Sequence, residues 1–214
     1  MILAIFDLDG TLADTLCDLA DATNHGLEQL GLPAHPYESY RFFVGNGAVK
    51  LCERALPEDK KHLTQELHGL FSEYYGAHFF DKTTIYSGVP EMLRRLSDAG
   101  VTLAVATNKP ENFAQTIVSK LLPAVPFAKV LGGRSDRAKK PDTAIIREIL
   151  DSLPDAPEKA FMIGDSNVDM QTAKNAGLIS IGCPWGFRGR EELERCGADF
   201  IAGSPAEIAD IILR

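Results

Sequence analysis

The chain has 214 residues, of which 45% are hydrophobic and 24% are charged, and its formal net charge is −8. This composition excludes disordered, collagen-like and disulfide-stapled chains, and the negative charge disfavours nonspecific binding to nucleic acid or to anionic membranes. The length suits one domain with a large insertion, or two small domains.

Nothing in the sequence predicts export or membrane insertion. The apolar N-terminal stretch ends at Asp7, which is too early for a signal peptide, and no apolar run approaches the ~20 residues of a membrane span. The cysteines, which show no CxxC pair and no metal-ligand spacing, are Cys17, Cys52, Cys183 and Cys196. We therefore expect reduced thiols in a cytoplasmic protein. We also expect a monomer or a homodimer that has no nucleic-acid or membrane partner.

Short apolar runs alternate with helical patterns along most of the chain. The runs predicted as strands are 2–7, 101–107, 128–131, 160–164, 179–183 and 199–202. Prolines that can open the intervening helices stand at positions 90, 110, 141 and 205. Several runs are apolar throughout, which is typical of strands covered on both faces, so we predict a doubly wound, Rossmann-like parallel sheet of the α/β class.

Residues 15–83 interrupt this alternation. Apolar residues at helical spacing fall within 16–30, which Gly31 ends, and again within 51–56 and 63–74. No strand pattern stands out in this segment. We therefore predict an all-helical insertion over 15–83, and an α/β core made of 1–14 and 84–214.

Two acidic segments follow predicted strands. Asp-Leu-Asp-Gly-Thr occupies residues 7–11, and Gly-Asp-Ser-Asn-Val-Asp occupies residues 164–169. Taken alone, the first could be a solvated turn and the second an acidic helix N-cap. Because ligands bind at the carboxyl ends of parallel strands, Asp7 and Asp165 can instead share one metal ion, and oxygen-only ligands favour Mg²⁺.

Two further strand ends carry the opposite chemical character. Thr107 and Asn108 end the second long strand and supply donors that suit phosphoryl oxygens, although Thr-Asn is also a common helix cap. Lys139 and Lys140 precede Pro141, and one of them can pair with both a phosphate and the acids, unless both are simply solvated.

In this order, the segments Asp7–Thr11, Thr107-Asn108, Lys140-Pro141 and Gly164–Asp169 resemble the four motifs of the haloacid dehalogenase-like hydrolase superfamily. The helical insertion resembles that superfamily's cap domain. Within it, Phe-Val-Gly-Asn-Gly-Ala at 43–48 is similar to bacterial phosphoglycolate phosphatases, as is Ala-Thr-Asn-Lys-Pro at 106–110.

The resemblance implies a Mg²⁺-dependent phosphatase that acts on a small phosphorylated metabolite, with 2-phosphoglycolate the preferred substrate. It makes Asp7 the nucleophile that forms an aspartyl-phosphate, and Asp9 the general acid and base. Mg²⁺ would bind Asp7, the backbone carbonyl of Asp9, and Asp165. The residues that would hold the phosphate oxygens are Thr107, Asn108 and Lys140. Asp169 would orient Lys140 or a metal-bound water, a role that spacing alone does not separate from that of a ligand.

The cap is expected to close over the site and to contact the organic end of the substrate. Arg41 and Asn46 rank first as readers of a carboxylate, followed by Lys50 and Arg54. The loop holding Trp185, Phe187 and Arg188 is a further candidate for the neighbourhood of the site.

Other functions stay open at this point. The same acids suit a sugar phosphomutase similar to β-phosphoglucomutase, or a pyrophosphatase. A non-catalytic phospho-acceptor module, like a receiver domain, also places acids, a threonine and a lysine at strand ends, but it is usually shorter and lacks a cap. A dinucleotide-binding domain is disfavoured because no GxGxxG follows the first strand.

Overall fold

The computed structural model describes all residues from 1 to 214 and contains eight strands and ten α-helices. In chain order these are β1 (Ile2–Phe6), β2 (Ala13–Asp14), α1 (Leu16–Gln29), α2 (Tyr37–Phe43), α3 (Ala48–Ala55), α4 (Thr64–His78), β3 (Thr84–Ile85), α5 (Val89–Asp98), β4 (Thr102–Pro110), α6 (Glu111–Leu121), β5 (Phe127–Gly133), α7 (Ala144–Asp151), β6 (Lys159–Gly164), α8 (Asn167–Ala176), β7 (Ile179–Gly182), α9 (Gly189–Arg195), β8 (Phe200–Ile201) and α10 (Pro205–Ile212). A short 3₁₀ helix covers Glu58–Leu63. The chain divides into one unit made of Met1–Ala13 and Ile85–Arg214, and a second made of Asp14–Thr84.

The first unit is built on a six-stranded sheet in the order β5-β4-β1-β6-β7-β8, and its neighbouring strands pair in parallel. The six runs predicted as strands are these six strands, so the predicted α/β fold with a parallel sheet is confirmed. The chain leaves β1 towards β4 on one side, and leaves β6 towards β7 on the other. The order therefore reverses between β1 and β6, where ligands bind in sheets of this kind.

Both faces of this sheet are covered. Leu3 and Ile5 of β1 pack in one core cluster with Ile146 of α7 and Ala173 of α8. Residues that alternate with them along β1 point to the opposite face, and one of these, Phe6, is also fully buried. Burial on both faces explains why the strand sequences are apolar without alternation.

The second unit is helical, as the inserted all-helical domain was predicted to be. Its interior contains Leu27 of α1, Tyr40 of α2 and Leu67 of α4, which are all fully buried. Asp18 in the first turn of α1 is buried too, and it accepts hydrogen bonds from the backbone N–H groups of Lys82 and Thr83. This carboxylate holds the segment that follows α4 against the start of α1.

The structure departs from the sequence-based expectations in three local respects. The strands β2 and β3 were not predicted, because two residues are too few to show a strand pattern. The helices α2 and α9 were not predicted, because each buries a single side chain and so leaves no apolar stripe. Strand β4 was expected to end at Thr107 but runs to Pro110, which pairs with Gly133 of β5 after a shift in register. Asn108 and Lys109 therefore lie on a strand, and not in a loop.

None of the helices is both long and apolar enough to cross a membrane. The four cysteines are free.

Candidate active site

Three buried carboxylates meet where the strand order reverses. Asp7 directly follows β1 and its backbone N–H donates to Ile163 of β6, while Asp165 directly follows β6. Asp169 lies in the first turn of α8. Carboxylate oxygens of these three residues lie within 4.8 Å of one another. The structure thus brings together Asp7 of the first predicted motif and both acids of the last.

Lys140 is the cation that contacts this cluster. Its Nζ lies 2.7 Å from Asp169 Oδ1 and 3.1 Å from Asp7 Oδ1, and it also donates to the Ala106 carbonyl at 2.8 Å. The side chain is 1% exposed, so its charge is compensated by these contacts and not by water. Lys139, its neighbour, is exposed, which decides between the two lysines that the sequence offered.

Burial shapes the ionisation of this cluster. It raises the pKa of Asp7 to about 7, with the Lys140 ammonium opposing the rise and the Asp169 carboxylate adding to it. Burial also raises the pKa of Asp165 well above its usual range, and the charges of Asp169 and Asp7 add to the effect. For Lys140, burial disfavours the ammonium, but Asp169 and Asp7 outweigh it and raise the pKa. Negative charge is thus in excess, and a cation would relieve it.

Both oxygens of Asp169 have partners within the chain. Oδ1 accepts from Lys140, and Oδ2 accepts from the Ser166 backbone N–H at 3.1 Å and from the Ser166 hydroxyl at 2.6 Å. Gly164 is required here, because a Cβ at this position would overlap the Asp169 side chain. Asp169 therefore sits where it can orient Lys140 and the start of α8.

Asn108, near the end of β4, holds the backbone of Lys140 in place. Asn108 Oδ1 accepts from the Lys140 backbone N–H at 2.9 Å, and Asn108 Nδ2 donates to the Lys140 carbonyl at 3.1 Å. The Thr107 hydroxyl accepts from the Lys109 backbone N–H at 3.3 Å. Asn108 thus fixes Lys140 through its backbone, a role that the sequence did not indicate.

Asp9 is not one of the three clustered acids. Its Oδ1 lies 2.9 Å from the Nζ of Lys109, whose side chain is 2% exposed. Sequence reasoning included Lys109 in the segment 106–110 but assigned it no function. The sequence held one sign, since Lys109 follows the apolar residues 103–106 after only Thr107 and Asn108 and so starts close to the buried sheet.

A loop after β7 contacts Asp165. The Phe187 backbone N–H donates to Asp165 Oδ2 at 2.6 Å, and the Trp185 indole N–H donates to the Thr11 carbonyl at 3.2 Å. A Cβ on Gly186 would overlap both the Asp165 side chain and the Gly10 carbonyl. This loop was a candidate on sequence, and the structure places it against the acids.

Replacing Gly186 with alanine is expected to weaken the acidic cluster. The added methyl must push Asp165 out of position, so we expect the half-saturating Mg²⁺ concentration to rise at least ~10-fold, the scale of effects on groups that orient ligands. Calorimetric titration of the purified protein with Mg²⁺ would measure this. Gly69→Ala is the matched control, because nothing lies within 4 Å of its Cβ and alanine suits the helix interior better than glycine. An unchanged half-saturating concentration in Gly186→Ala would contradict the expectation.

The cap residues singled out on sequence are found within the helical unit. Arg41 is exposed on α2. The Asn46 side-chain oxygen accepts from Arg54 Nη2 at 2.7 Å, and Arg54 also donates to the Phe43 carbonyl at 3.0 Å. Lys50 pairs with Glu53. Asn46 and Arg54 therefore also stabilise the turn between α2 and α3.

The donor set of the cluster fits a divalent ion such as Mg²⁺. It offers carboxylate oxygens only, all buried, from three residues against the single ammonium of Lys140. Hard cations prefer such ligands. Asp7 and Asp165 are the better candidates for direct ligands, because both oxygens of Asp169 are already engaged.

Comparison with known proteins agrees with this architecture. Residues 4–183 match the model of the haloacid dehalogenase-like hydrolase family. A phosphoglycolate phosphatase from Vibrio parahaemolyticus is 35% identical over 217 residues, which covers 98% of this chain and 95% of the relative. A phosphoglycolate phosphatase from Vibrio vulnificus is 36% identical over 218 residues, covering 99% and 96%.

Solved structures are similar over the same span. A predicted phosphoglycolate phosphatase from Haemophilus somnus superimposes with a TM-score of 0.87 at 31% identity, covering 98% of this chain and 96% of the other. The structure of CbbY from Rhodobacter sphaeroides in complex with phosphate gives a TM-score of 0.76 at 28% identity, covering 96% and 95%. These similarities favour an enzyme over the non-catalytic phospho-acceptor module. The chain therefore belongs to the haloacid dehalogenase-like hydrolase family and is a phosphoric monoester hydrolase.

Proposed function

We propose that this enzyme hydrolyses 2-phosphoglycolate to glycolate and phosphate through an aspartyl-phosphate on Asp7, with Mg²⁺ as its cofactor. The observation that carries the proposal is the cluster of Asp7, Asp165 and Asp169, buried at the strand ends with Lys140 against it. Phosphoryl transfer depends mainly on positioning and on charge neutralisation, and this cluster is arranged for both.

In the first step, a carboxylate oxygen of Asp7 attacks phosphorus, and the bond from phosphorus to the glycolate oxygen breaks. Asp9 donates a proton to that oxygen as it leaves, so glycolate departs as an alcohol. Lys140, 3.1 Å from Asp7, favours the ionised form of the nucleophile and so opposes the rise in its pKa that burial causes. Thr107, Asn108 and Lys140 are the proposed donors to the phosphate oxygens.

In the second step, Asp9 removes a proton from water and the water oxygen attacks phosphorus. The bond from phosphorus to the Asp7 oxygen breaks, which releases phosphate and restores Asp7 and the protonated Asp9. When bound, Mg²⁺ would neutralise charge between the phosphate and the carboxylates. Asp7, Asp165 and the backbone carbonyl of Asp9 are its proposed protein ligands, and Asp169 orients Lys140 beside them.

The proposal of 2-phosphoglycolate as the substrate is supported by the relatives named phosphoglycolate phosphatase, which match nearly the whole chain. Their similarity includes the inserted helical segment as well as the motifs at the strand ends. Arg41 and Asn46 of the helical unit stay the proposed residues for the carboxylate of the substrate. A small phosphorylated acid is therefore proposed in preference to a sugar phosphate.

A screen of phosphorylated metabolites tests this proposal. The purified enzyme with Mg²⁺ is expected to release phosphate fastest from 2-phosphoglycolate, with kcat/KM at least ~10-fold above hexose phosphates and pyrophosphate. Faster hydrolysis of a hexose phosphate or of pyrophosphate would contradict the substrate. Conversion of glucose 1-phosphate to its isomer, given a bisphosphate activator and without free phosphate, would replace the hydrolase with a mutase.

The affinity of the enzyme for Mg²⁺ is expected to decrease at low pH. Because the pKa of Asp7 is about 7 in the metal-free protein, metal binding below that pH must displace a proton. Mg²⁺ affinity should therefore fall as pH decreases through 7, by up to about tenfold per pH unit for each proton released. Calorimetric Mg²⁺ titrations at pH 6, 7 and 8 would measure it, and EDTA should abolish phosphate release. Affinity independent of pH across this range would contradict Asp7 as a ligand.

A further inference from the structure

We propose that Lys109 is a positioning residue that holds the carboxylate of Asp9 in the orientation required for proton transfer. This inference rests on the proposed function, because it assigns Lys109 a task in that reaction. It concerns the ammonium paired with Asp9, which is distinct from the Lys140 ammonium that contacts Asp7 and Asp169.

The parallel sheet brings Lys109 and Asp9 together. Strands β1 and β4 are neighbours, with Phe6 opposite Val105, so the residues that follow these positions emerge at the same edge. The Nζ of Lys109 donates to Asp9 Oδ1 at 2.9 Å across 100 residues of sequence. The Lys109 backbone is itself held, because its N–H donates to the Thr107 hydroxyl. The ammonium therefore extends from a fixed point on the sheet.

The burial of the Lys109 side chain indicates that its contact with Asp9 has a function. The Lys109 side chain is 2% exposed, whereas the Asp9 side chain is 19% exposed. Removing a lysine ammonium from water is costly unless an ion pair and hydrogen bonds replace the water. A buried apolar residue would fill this space at lower cost, so the lysine is best explained by what it does to Asp9.

Lys109 and Lys140 contact different acids. Asp7, Asp165 and Asp169 have oxygens within 4.8 Å of one another, and Asp9 is not in that group. A fourth carboxylate close to a divalent ion would bind it and would then be a poor proton donor. By donating to Oδ1, Lys109 holds the Asp9 carboxylate in one orientation. Without Lys109, Asp9 would lose this orientation while the metal ligands stayed in place.

The test compares two substrates with different needs for a proton. The leaving alkoxide of 2-phosphoglycolate needs protonation, whereas the nitrophenolate of p-nitrophenyl phosphate leaves without it. In Lys109→Met we expect kcat/KM to fall by roughly 10²-fold for 2-phosphoglycolate, the scale of one lost general acid, but by less than ~5-fold for p-nitrophenyl phosphate. Because Asp9 also activates water, p-nitrophenyl phosphate should then give a burst of about one nitrophenolate per active site.

Two further variants make the outcome specific. In an Asp9→Asn background, Lys109→Met should cause no more than ~3-fold additional loss, because Lys109 acts through Asp9. This double variant removes both partners of the pair, so it tests the idea even if Lys109→Met alone is unstable. Lys129→Met, an exposed lysine on β5, is the control and should match the wild type on both substrates.

Several results would overturn the inference. An equal loss on both substrates would indicate a general structural role, and a raised KM for 2-phosphoglycolate with unchanged kcat would make Lys109 a substrate-binding residue. Wild-type rates on both substrates in Lys109→Met would show that Lys109 has no role in the reaction. Failure of the wild-type enzyme to hydrolyse either ester would instead contradict the proposed function, so the two failures are distinguishable.

Discussion

Replacing Asp7 with asparagine is expected to abolish phosphate release, lowering kcat by about 10⁴-fold or more, as for the loss of a nucleophile. Asparagine has nearly the same shape, but its amide does not form the acyl-phosphate. The change also removes a negative charge from a buried cluster of three carboxylates. Phosphate release from 2-phosphoglycolate, measured at saturating Mg²⁺, is the direct test.

The fold of this variant is expected to survive. Since burial already raises the pKa of Asp7 to about 7, a neutral side chain at this position costs the metal-free protein little. We therefore expect a Tm within a few degrees of the wild type, together with a smaller Tm increase on adding Mg²⁺. Asp155→Asn, at an exposed loop position, is the matched control and should be fully active. Retention of more than a tenth of the activity by Asp7→Asn would remove Asp7 from the proposed role.

Replacing Lys140 with methionine is expected to damage stability as well as activity. The change leaves Asp7 and Asp169 buried without the ammonium that lies 3.1 and 2.7 Å from them. Removing one partner of a buried ion pair costs about 3–5 kcal/mol. For a protein of this size the Tm should fall by roughly 6–20 °C. The rate should fall at least ~10²-fold, because a donor to the phosphate is lost as well.

The neighbouring lysine supplies the control for this experiment. Lys139→Met removes the same group at an exposed position, so the free energy of unfolding should change by no more than about 0.5 kcal/mol. Adding Asp169→Asn to Lys140→Met should recover part of the lost stability but none of the activity, because it removes one uncompensated charge. Thermal unfolding with EDTA present isolates these effects from metal binding. A wild-type Tm in Lys140→Met would contradict the ion-pair interpretation.

The architecture was largely predictable because it depends on local patterns. Strands covered on both faces must be apolar throughout, so runs such as 2–7 and 160–164 identify the sheet directly. The helical insertion was visible as a long segment without such runs. Helices with a single buried side chain, α2 and α9, escaped prediction because they lack an apolar stripe.

By itself, the sequence determined the fold class and the acids, threonine, amide and lysine that stand at the strand ends. The tertiary structure decided which groups touch: it paired Lys109 with Asp9, Lys140 with Asp7 and Asp169, and the Phe187 N–H with Asp165. Strand formation is governed by neighbours in sequence, whereas each of these contacts joins residues at least 22 positions apart. The register of the strands and the cost of burying an uncompensated charge determine which of these residues pair. Neither the register nor the burial exists until the chain has folded.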